Sequence, residues 1–330
     1  MSHRPDYSAP AELIDVFSAV SAPLKHLIFS YLSGQAPQSL MLSGPFGVGK
    51  RTLAKLLVLC LFCENRTDAP CGKCKACRRI TSGFHPNCLR LGLLPNTKSI
   101  KIDQVREILA QLSQYPLESG RRAVILEDFD LFTVPAQNAL LKAIEEPDEV
   151  TVYILTATNE KSVLPTILSR CRFQRLPAWP DDLLESHLIS QGFSTQTARD
   201  LVPLSGGSPG TAMRMAGNED FWALKSRADT VLFSPADLSQ IPEISEQLKE
   251  FRQEAEQLLN YLEAKALASF SAGAPEHPDP EAYYEASLKH RAMLESLFLA
   301  RRQRASNVTW QGIADQLLLN ILEDNQPCPW

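Results

Sequence analysis

The sequence predicts an α/β domain with a parallel sheet, followed by two domains made only of helices. Between about residues 40 and 176, short apolar runs with strand character alternate with helical patterns, which is typical of a parallel sheet. After residues 177–180 the strand-like runs stop, and apolar residues recur only at helical spacing. A length of 330 residues also exceeds what one hydrophobic core usually organises. We therefore expect domains at 1–177, 178–217 and 218–330.

In the first domain the pattern predicts three strands and two helices. Each strand is a short apolar run: Ser39–Ser43, Arg122–Glu127 and Thr151–Thr156. The first strand leads through a glycine-rich turn into a helix over 52–63, whose leucines recur at helical spacing. A second helix is expected over 135–146, because proline is favoured in a first turn and Pro147 cannot continue the helix.

The rest of the chain is expected to be helical. Residues 181–216 have the pattern of a small bundle, with Gly206–Gly210 as the entry to a helix, and glycine and proline predict a loop over 271–280. An apolar stripe follows alternating steps of four and three residues: Ile244, Leu248, Phe251, Ala255, Leu258 and Leu262. Such a stripe packs on a partner helix, either in the same chain or in another subunit.

Composition and charge exclude several classes of protein. With 44% hydrophobic and 22% charged residues, the chain has the composition of a folded protein rather than a disordered one. Its net charge of −5 argues against a free-standing nucleic-acid binder, which normally carries an excess of basic residues. The longest uncharged apolar run is too short for a bilayer and the N-terminus lacks a signal-peptide core, so we expect a cytoplasmic protein without membrane contact.

A glycine-rich loop over residues 44–50 predicts a phosphate site. The loop lies between a predicted strand and a predicted helix, where backbone N–H groups and a helix N-terminus can cradle a phosphate. Gly44, Gly47 and Gly49 allow the backbone to turn toward the ligand, and Lys50 would meet the β- and γ-phosphates. The loop is therefore compatible with bound ATP or ADP, and a glycine-rich turn without a ligand is the other interpretation.

Two departures predict that this site does not hydrolyse nucleotide efficiently. A working loop has Ser or Thr directly after the lysine to coordinate Mg²⁺, but this chain has Arg51, and Thr52 lies about 100° further around the helix. The acids that end the second strand are Glu127 and then Asp128, the reverse of the usual order, and displacements on the order of 1 Å can cost about a hundredfold in rate. Since Arg51 also repels a cation, we expect Mg²⁺ to be disfavoured.

Six of the eight cysteines lie in one short stretch, which indicates a metal site rather than a disulfide framework. Four of them have spacings that would close a tetrahedral, structural Zn²⁺ site: Cys63, Cys71, Cys74 and Cys77. Cys60, one helical turn before Cys63, and His85 are alternative fourth ligands. Buried thiols without a metal are the other interpretation of the cluster.

These features together resemble the bacterial clamp-loader family of the AAA+ ATPases, which includes the gamma/tau and delta-prime subunits of DNA polymerase III. Three further stretches carry the resemblance: Gln137–Pro147, Thr156–Asn159 and Leu164–Cys171. The resemblance is dense from about residue 39 to 176 and weaker beyond. It implies an AAA+ P-loop domain with a zinc module inserted at about 63–80, a small helical lid domain and an all-α collar domain.

Within this family, the departures favour a subunit of the delta-prime kind. The gamma/tau ATPases have Thr after the loop lysine and an arginine after a Gly-Ser pair, whereas this chain has Arg51 and Pro209 there. Arg214, one helical turn beyond Gly210, is an alternative for the missing arginine. The resemblance therefore implies a subunit with little or no ATP hydrolysis of its own.

The resemblance also assigns roles to two side chains. Arg170, in the motif Ser169–Arg170–Cys171, would reach the ATP of a neighbouring subunit as an arginine finger. Thr158 matches the position that senses the γ-phosphate in active relatives. On the residues alone, Arg170 could instead cap the preceding helix and Thr158 could bond to nearby backbone.

The partners implied by the resemblance are gamma/tau and delta subunits in a hetero-pentamer that loads a sliding clamp onto primer–template DNA. Two other functions stay open. A catalytically active, gamma-like ATPase would hydrolyse ATP as a purified chain. A stand-alone zinc DNA-binding protein would bind duplex DNA tightly and with a strong dependence on salt.

Overall fold

The computed structural model divides the chain into two compact units. One comprises Ser2–His187 with Gly207–Gly210, and the other comprises Leu188–Gly206 with Thr211–Trp330. The structure describes these residues: 10–113, 120–232, 245–248, 250–252, 255–272, 280–306 and 308–322. The predicted division into three domains stays a prediction.

The first unit is built on a parallel sheet, as the sequence predicts. Its described strands are β1 (Ser39–Ser43), β2 (Cys88–Leu91), β3 (Arg122–Leu126), β4 (Thr151–Ala157) and β5 (Arg172–Arg175). They form one five-stranded sheet in the order β2-β3-β4-β1-β5. In the register, Ser39 on β1 and Arg122 on β3 pair with Tyr153 and Thr151 on β4. The carboxyl ends of β1, β3 and β4 therefore lie side by side, where parallel sheets bind ligands.

The three central strands are the ones that the sequence predicts, because they are apolar and buried along their whole length. The two edge strands escape prediction. β2 and β5 have only four residues each, with the mixed sequences CLRL and RFQR, and each pairs with a single neighbour. Strands that short and that polar give no period-two signal.

Helices pack on this sheet. The described helices of the first unit are α1 (Pro10–Val20), α2 (Ala22–Leu32), α3 (Lys50–Phe62), α4 (Lys75–Ser82), α5 (Ile102–Leu112), α6 (Val134–Glu145) and α7 (Pro165–Leu168). α3 contacts β1 and β4, while α5 and α6 contribute to a core with Val124, Leu126 and Leu155. The helices predicted at 52–63 and 135–146 are α3 and α6, within two residues at each end.

One buried amide ties α6 to the segment that leads to Ser169 and Arg170. The side-chain nitrogen of Gln137 donates to the carbonyls of Phe132 at 3.1 Å and Ser162 at 2.9 Å. Its oxygen accepts from the backbone N–H of Leu164 at 2.9 Å. Because Gln137 is buried, these three backbone groups depend on it for their hydrogen bonds.

The second unit is helical, as expected. Two helices span a boundary between the units: α8 (Asp181–Ser190) belongs to the second unit from Leu188 on, and α10 (Pro209–Ala216) from Thr211 on. The other helices named in this unit are α9 (Thr195–Leu204), α11 (Glu219–Leu232), α12 (Ala255–Ala272), α13 (Pro280–Ala305) and α14 (Trp310–Leu322). The predicted stripe is buried: Leu248, Phe251, Leu258 and Leu262 lie in the unit's own core. These residues therefore pack within the chain. Ile244 and most of the loop predicted over 271–280 lie outside the described residues.

Among the described helices, none combines the length and the apolar composition that crossing a bilayer requires.

Replacing Gln137 with Leu should lower the free energy of unfolding by about 3 kcal/mol or more, because three buried backbone groups lose their partner. Asn138 is the matched control, since it is the next residue on α6 and is exposed. Asn138→Leu should change stability by no more than about 0.5 kcal/mol. Urea denaturation followed by tryptophan fluorescence measures both variants, and equal stabilities would contradict the role given to Gln137.

Candidate nucleotide site and metal centre

The glycine-rich loop, Gly44–Lys50 (the phosphate loop), joins the buried end of β1 to the start of α3. Gly49 precedes the helix with a φ of +98°, and a Cβ there would lie 3.0 Å from the ring of Phe17. A side chain is excluded at Gly49 by both the backbone conformation and the space. The sequence–structure context that predicts a phosphate site is therefore present.

The chain itself holds the backbone of this loop. Five consecutive carbonyls accept hydrogen bonds: Gly44 and Pro45 from Lys50 Nζ at 2.7 Å each, Phe46 from Ser208 Oγ at 2.9 Å, Gly47 from the Gly210 N–H at 2.9 Å and Val48 from Trp179 Nε1 at 3.0 Å. The first turn of α10 lies so close that a Cβ on Gly210 would come within 2.9 Å of Gly47. The loop conformation is thus fixed by its own neighbours.

The contributions of Ser208 and Trp179 are not evident from the sequence. Trp179 is buried, and its backbone N–H donates to the carbonyl of Gly207 at 2.8 Å. Because Ser208 follows Gly207 directly, Trp179 and Ser208 lie side by side against the loop. The Pro-Ala-Trp-Pro stretch signals only a break between elements, and a Gly-Gly-Ser entry signals only a helix start. No spacing rule connects either feature to a loop that lies 130 residues or more earlier in the chain.

Lys50 is buried at the start of α3. Burial lowers the pKa of its ammonium, and the carboxylates of Asp128 and Asp130 oppose that change. Both carboxylates therefore lie near enough to feel the lysine. This is the arrangement expected of a phosphate-binding lysine beside an acidic strand end.

The two acids at the end of β3 are paired with the chain's own arginines. Arg51 forms an ion pair with Asp128, and its Nε lies 3.4 Å from Glu127 Oε2. Arg90 holds Glu127 from the other side, with its Nε 2.6 Å from Oε1. The carboxylates that would bind Mg²⁺ in an active site thus face guanidinium groups, which goes beyond the repulsion predicted for Arg51. Arg90 lies on β2, so its role could not be read from the sequence.

Thr156 contacts the acidic strand end, and the two predicted threonines, Thr52 and Thr158, have other settings. Thr156 is buried on β4 and its hydroxyl accepts from the backbone N–H of Asp128 at 3.0 Å. Thr158, the predicted sensor of the γ-phosphate, is exposed just beyond the end of β4, and Thr52 is half-buried on the first turn of α3. The hydroxyl that supports the acidic strand end is therefore that of Thr156. That Thr158 senses the γ-phosphate stays a prediction.

Arg170 stands at the surface, just after α7. Its Nε forms an ion pair with Glu145 Oε1 at 2.6 Å, and its Nη1 donates to the carbonyl of Thr166 at 3.0 Å and to the hydroxyl of Ser169 at 3.1 Å. About 42% of the side chain is exposed. The structure therefore contains the helix cap that the residues alone suggested, and it leaves part of the guanidinium accessible.

Cys171, the third residue of that motif, points the other way. It is buried among the apolar residues of the sheet core, and burial raises the pKa of its thiol to about 11. A neutral, buried thiol is a packing residue rather than a nucleophile.

The structure brings the four predicted cysteines together. The sulfur atoms of the cysteine cluster, Cys63, Cys71, Cys74 and Cys77, all lie within 4.8 Å of one another. Backbone N–H groups donate to three of these sulfurs, from Cys71 to Cys63 at 3.3 Å, from Cys74 to Cys71 at 3.3 Å and from Cys77 to Cys74 at 3.4 Å. Tetrahedral Zn–S bonds of about 2.3 Å require sulfurs about 3.8 Å apart, so four soft ligands fit such an ion here.

The alternative fourth ligands lie outside the cluster. Cys60 is fully buried in α3, and burial raises the pKa of its thiol to about 12. His85 Nδ1 accepts from the backbone N–H of Asn87 at 3.2 Å. The backbone N–H of Cys74 lowers the pKa of the Cys71 thiol to about 7, whereas burial raises the pKa of Cys63 and Cys77, so the positions of the sulfurs and not the pKa shifts define the set. The spacing-based choice of Cys63 is the one that the geometry supports.

A parallel sheet in this strand order, with a phosphate loop after β1 and paired acids after β3, defines a P-loop domain of the AAA+ type. A sequence profile described as "DNA polymerase III, delta subunit" matches residues 21–179. Over this part of its length the chain is similar to the delta-prime subunits of DNA polymerase III.

Several curated relatives carry that name. The delta-prime subunit of Pseudomonas aeruginosa is 37% identical over 201 residues, which cover 59% of this chain and 61% of the relative. That of Bacillus subtilis is 33% identical over 210 residues, covering 63% and 62%. A gamma subunit of Buchnera aphidicola is 31% identical over 157 residues, covering 46% and 43%. The chain thus spans about three fifths of the length of the delta-prime relatives.

Solved structures are similar at lower identity. A gamma subunit-related protein of Thermotoga maritima is 17% identical with a TM-score of 0.39, covering 88% of this chain and 97% of that one. RuvB of Thermotoga maritima, a Holliday junction branch migration motor, is 16% identical with a TM-score of 0.40, covering 82% and 83%.

Replacing Arg51 with Thr should make ATP binding depend on Mg²⁺, because the substitution removes the cation that pairs with Asp128 and supplies a hydroxyl ligand. Calorimetric titration with ATP should show Mg²⁺ raising the affinity at least about tenfold over EDTA in the variant and not in the parent chain. Arg106→Thr, which removes an exposed arginine on α5 with the same change in net charge, is the control. An equal Mg²⁺ effect in parent and variant would contradict the part assigned to Arg51.

Proposed function

We propose that the chain is a clamp-loader subunit of a DNA polymerase III holoenzyme that supports ATP-dependent loading of a sliding clamp without efficient ATP hydrolysis of its own. The observation that carries this proposal is the pairing of Arg51 with both acidic residues, Glu127 and Asp128, in a chain similar to delta-prime subunits. Hydrolysis needs a metal ion on those carboxylates, and the arginine competes for the same oxygens.

The nucleotide site keeps the parts for binding and lacks the parts for hydrolysis. The phosphate loop, the buried Lys50 and the start of α3 are compatible with an ATP or ADP phosphate. The hydroxyl that normally follows the lysine is absent, and Mg²⁺ would have to displace a guanidinium. Bound nucleotide would therefore act as a structural ligand of this subunit.

In this proposal Arg170 supplies the chemistry that the chain lends to a neighbour. Its guanidinium is held at one end by Glu145 and by the carbonyl of Thr166, and it is part exposed at the surface of the first unit. A planar cation held in this way can meet the γ-phosphate of ATP bound to an adjacent subunit and stabilise the charge of phosphoryl transfer. The hydroxyl of Ser169 supports the guanidinium by accepting a hydrogen bond from its Nη1.

The partners proposed for the chain are gamma/tau and delta subunits in a hetero-pentamer, with the sliding clamp and primer–template DNA contacted by the assembly. The similarity to relatives named delta-prime, gamma and tau supports this choice. The described part of the predicted collar stripe is buried within the second unit, so exposed residues of the C-terminal helices would have to make any subunit contact.

We also propose a structural Zn²⁺ ion on the cysteine cluster. Four sulfur ligands would fill a tetrahedral site and leave no open position for a substrate, so the ion would brace the turn between α3 and α4 rather than take part in a reaction. The backbone N–H bonds to the sulfurs would stabilise the thiolates.

Replacing Arg170 with Ala should lower ATP turnover of the reconstituted clamp loader at least about tenfold at the neighbouring site while this chain stays folded. Arg170→Lys should lose most of the same activity, since an ammonium lacks the planar fork of donors. Single-turnover hydrolysis by the assembled complex measures both effects.

Arg106→Ala provides the matched control, because it removes an exposed arginine on α5 with the same change in net charge. Turnover should remain within about twofold of the parent complex in this variant. If Arg106→Ala and Arg170→Ala lowered turnover equally, the loss would not depend on the guanidinium of Arg170 and the arginine-finger proposal would be wrong.

Replacing Cys74 with Ser should remove the zinc ion, because one of four ligands is lost, and should destabilise the segment around α4. Atomic absorption should find about one Zn per parent chain and much less in the variant. Cys60→Ser is the control, since Cys60 lies outside the cluster, and it should retain the metal. Zinc lost from Cys60→Ser and kept in Cys74→Ser would contradict the ligand set.

A further inference from the structure

The first unit contains a cavity whose lining includes no residue of the phosphate loop. This cavity, of about 440 Å³, lies beside the cysteine cluster, and we call it the α4 pocket. Phe62 and Ala76 supply apolar wall, and the buried polar side chains of His85 and Asn87 face it from the chain before β2. A volume of this size suits a small organic group such as a nucleotide unit.

The rim of the α4 pocket is cationic. Lys75 and Arg79 lie on α4, and Arg121 lies directly before β3, much later in the chain. Glu64 is the one carboxylate in the lining. The positive charge is local, since the whole chain has a net charge of −5 and the stretch 64–90 has six Lys or Arg residues against two acids. Such a rim attracts an anion.

Charge balance with the cysteine cluster does not account for these cations. Four thiolates with one Zn²⁺ would carry two negative charges, which leaves the stretch 64–90 positively charged. Arg121 also lies far from the cysteines in sequence, and its Nη2 is anchored to the carbonyl of Gly34 at 2.8 Å. The rim is therefore assembled from two separate parts of the fold.

Aromatic rings accompany the cations. The rings of Phe62 and His85 meet edge to face at 4.9 Å in the wall of the pocket. Phe84, directly before His85, is 83% exposed, the highest value among the exposed large apolar side chains of the described residues. Its backbone N–H donates to the carbonyl of Arg79 at 2.8 Å, which holds the backbone of Phe84 beside a residue of the cationic rim. Exposed aromatic rings beside cations are the surface on which unpaired bases stack.

We propose that the α4 pocket and Phe84 bind a nucleotide unit of single-stranded nucleic acid, with a base on the aromatic rings and phosphates on Lys75, Arg79 and Arg121. A free nucleotide offers the same chemistry, and it is the other source of the ligand. An acidic peptide would match the rim but has no use for the exposed ring. This inference is independent of the arginine finger and of the phosphate loop.

The test uses the full, zinc-loaded chain and fluorescein-labelled (dT)12 at low salt, with binding followed by fluorescence anisotropy. Phe84→Ala and Arg79→Ala should each weaken binding about tenfold, since stacking contributes roughly 1–3 kcal/mol per base. Arg79→Ala should also reduce the slope of log K against log[salt] by about 0.7, the value for one phosphate contact of a single strand. Arg79→Lys should recover much of the affinity.

Matched controls separate this site from general charge and stickiness. Arg78→Ala removes the neighbouring arginine on α4, which does not line the pocket, and Phe298→Ala removes a 70% exposed phenylalanine of the second unit. Neither should change the affinity by more than about twofold. Equal losses in all four alanine variants, or no binding of (dT)12 by the parent chain, would overturn the proposal.

The two sources are distinguished with dTMP, titrated into a Lys50→Ala chain so that the phosphate loop cannot contribute. Affinity for dTMP as high as for (dT)12 would identify a free nucleotide, and binding of (dT)12 alone would identify a single strand. A hexaglutamate peptide that binds more tightly than both would overturn the assignment in favour of an acidic peptide. The Lys50→Ala background removes the lysine of the phosphate loop. A lack of binding at the α4 pocket would therefore not bear on the proposed clamp-loader role.

Discussion

The ion pair between Arg51 and Asp128 is the interaction on which the interpretation of the nucleotide site depends. It places a permanent cation where a phosphate-loop enzyme needs a divalent metal, and Arg90 adds a second cation on Glu127. A metal ion would have to displace guanidinium groups that already satisfy both carboxylates. The strand end is then an internal salt-bridge cluster, and in the proposed function it keeps the fold of a P-loop domain without its hydrolytic chemistry.

Hydrogen bonds from the chain's own residues also hold the phosphate loop. Ser208, Gly210 and Trp179 bond to successive loop carbonyls. Each bond satisfies a backbone acceptor that would otherwise need water or ligand. Lys50 bonds to the carbonyls of Gly44 and Pro45, so the chain itself determines the conformation of the loop.

Sequence reasoning found the parts of the fold that carry strong local signals. These parts are the three apolar strands, the loop between β1 and α3, and the four cysteines. Each is marked by residues that are close in sequence and have a direct physical meaning, and the structure contains all of them. The partners that modify them were out of reach, because Arg90 lies on a four-residue polar strand and Ser208 and Trp179 meet the loop only through tertiary contacts. The support that Thr156 gives to the acidic strand end was also out of reach, since its position beside β3 is a property of the sheet.

Steady-state ATP hydrolysis by the purified chain alone is the measurement that decides whether its nucleotide loop lacks a working metal shell. Turnover in excess Mg²⁺ should not rise above that of a Lys50→Ala variant prepared in the same way. Brisk turnover that disappears in Lys50→Ala would contradict this expectation, because it would show that Mg²⁺ reaches Glu127 and Asp128 despite the arginines.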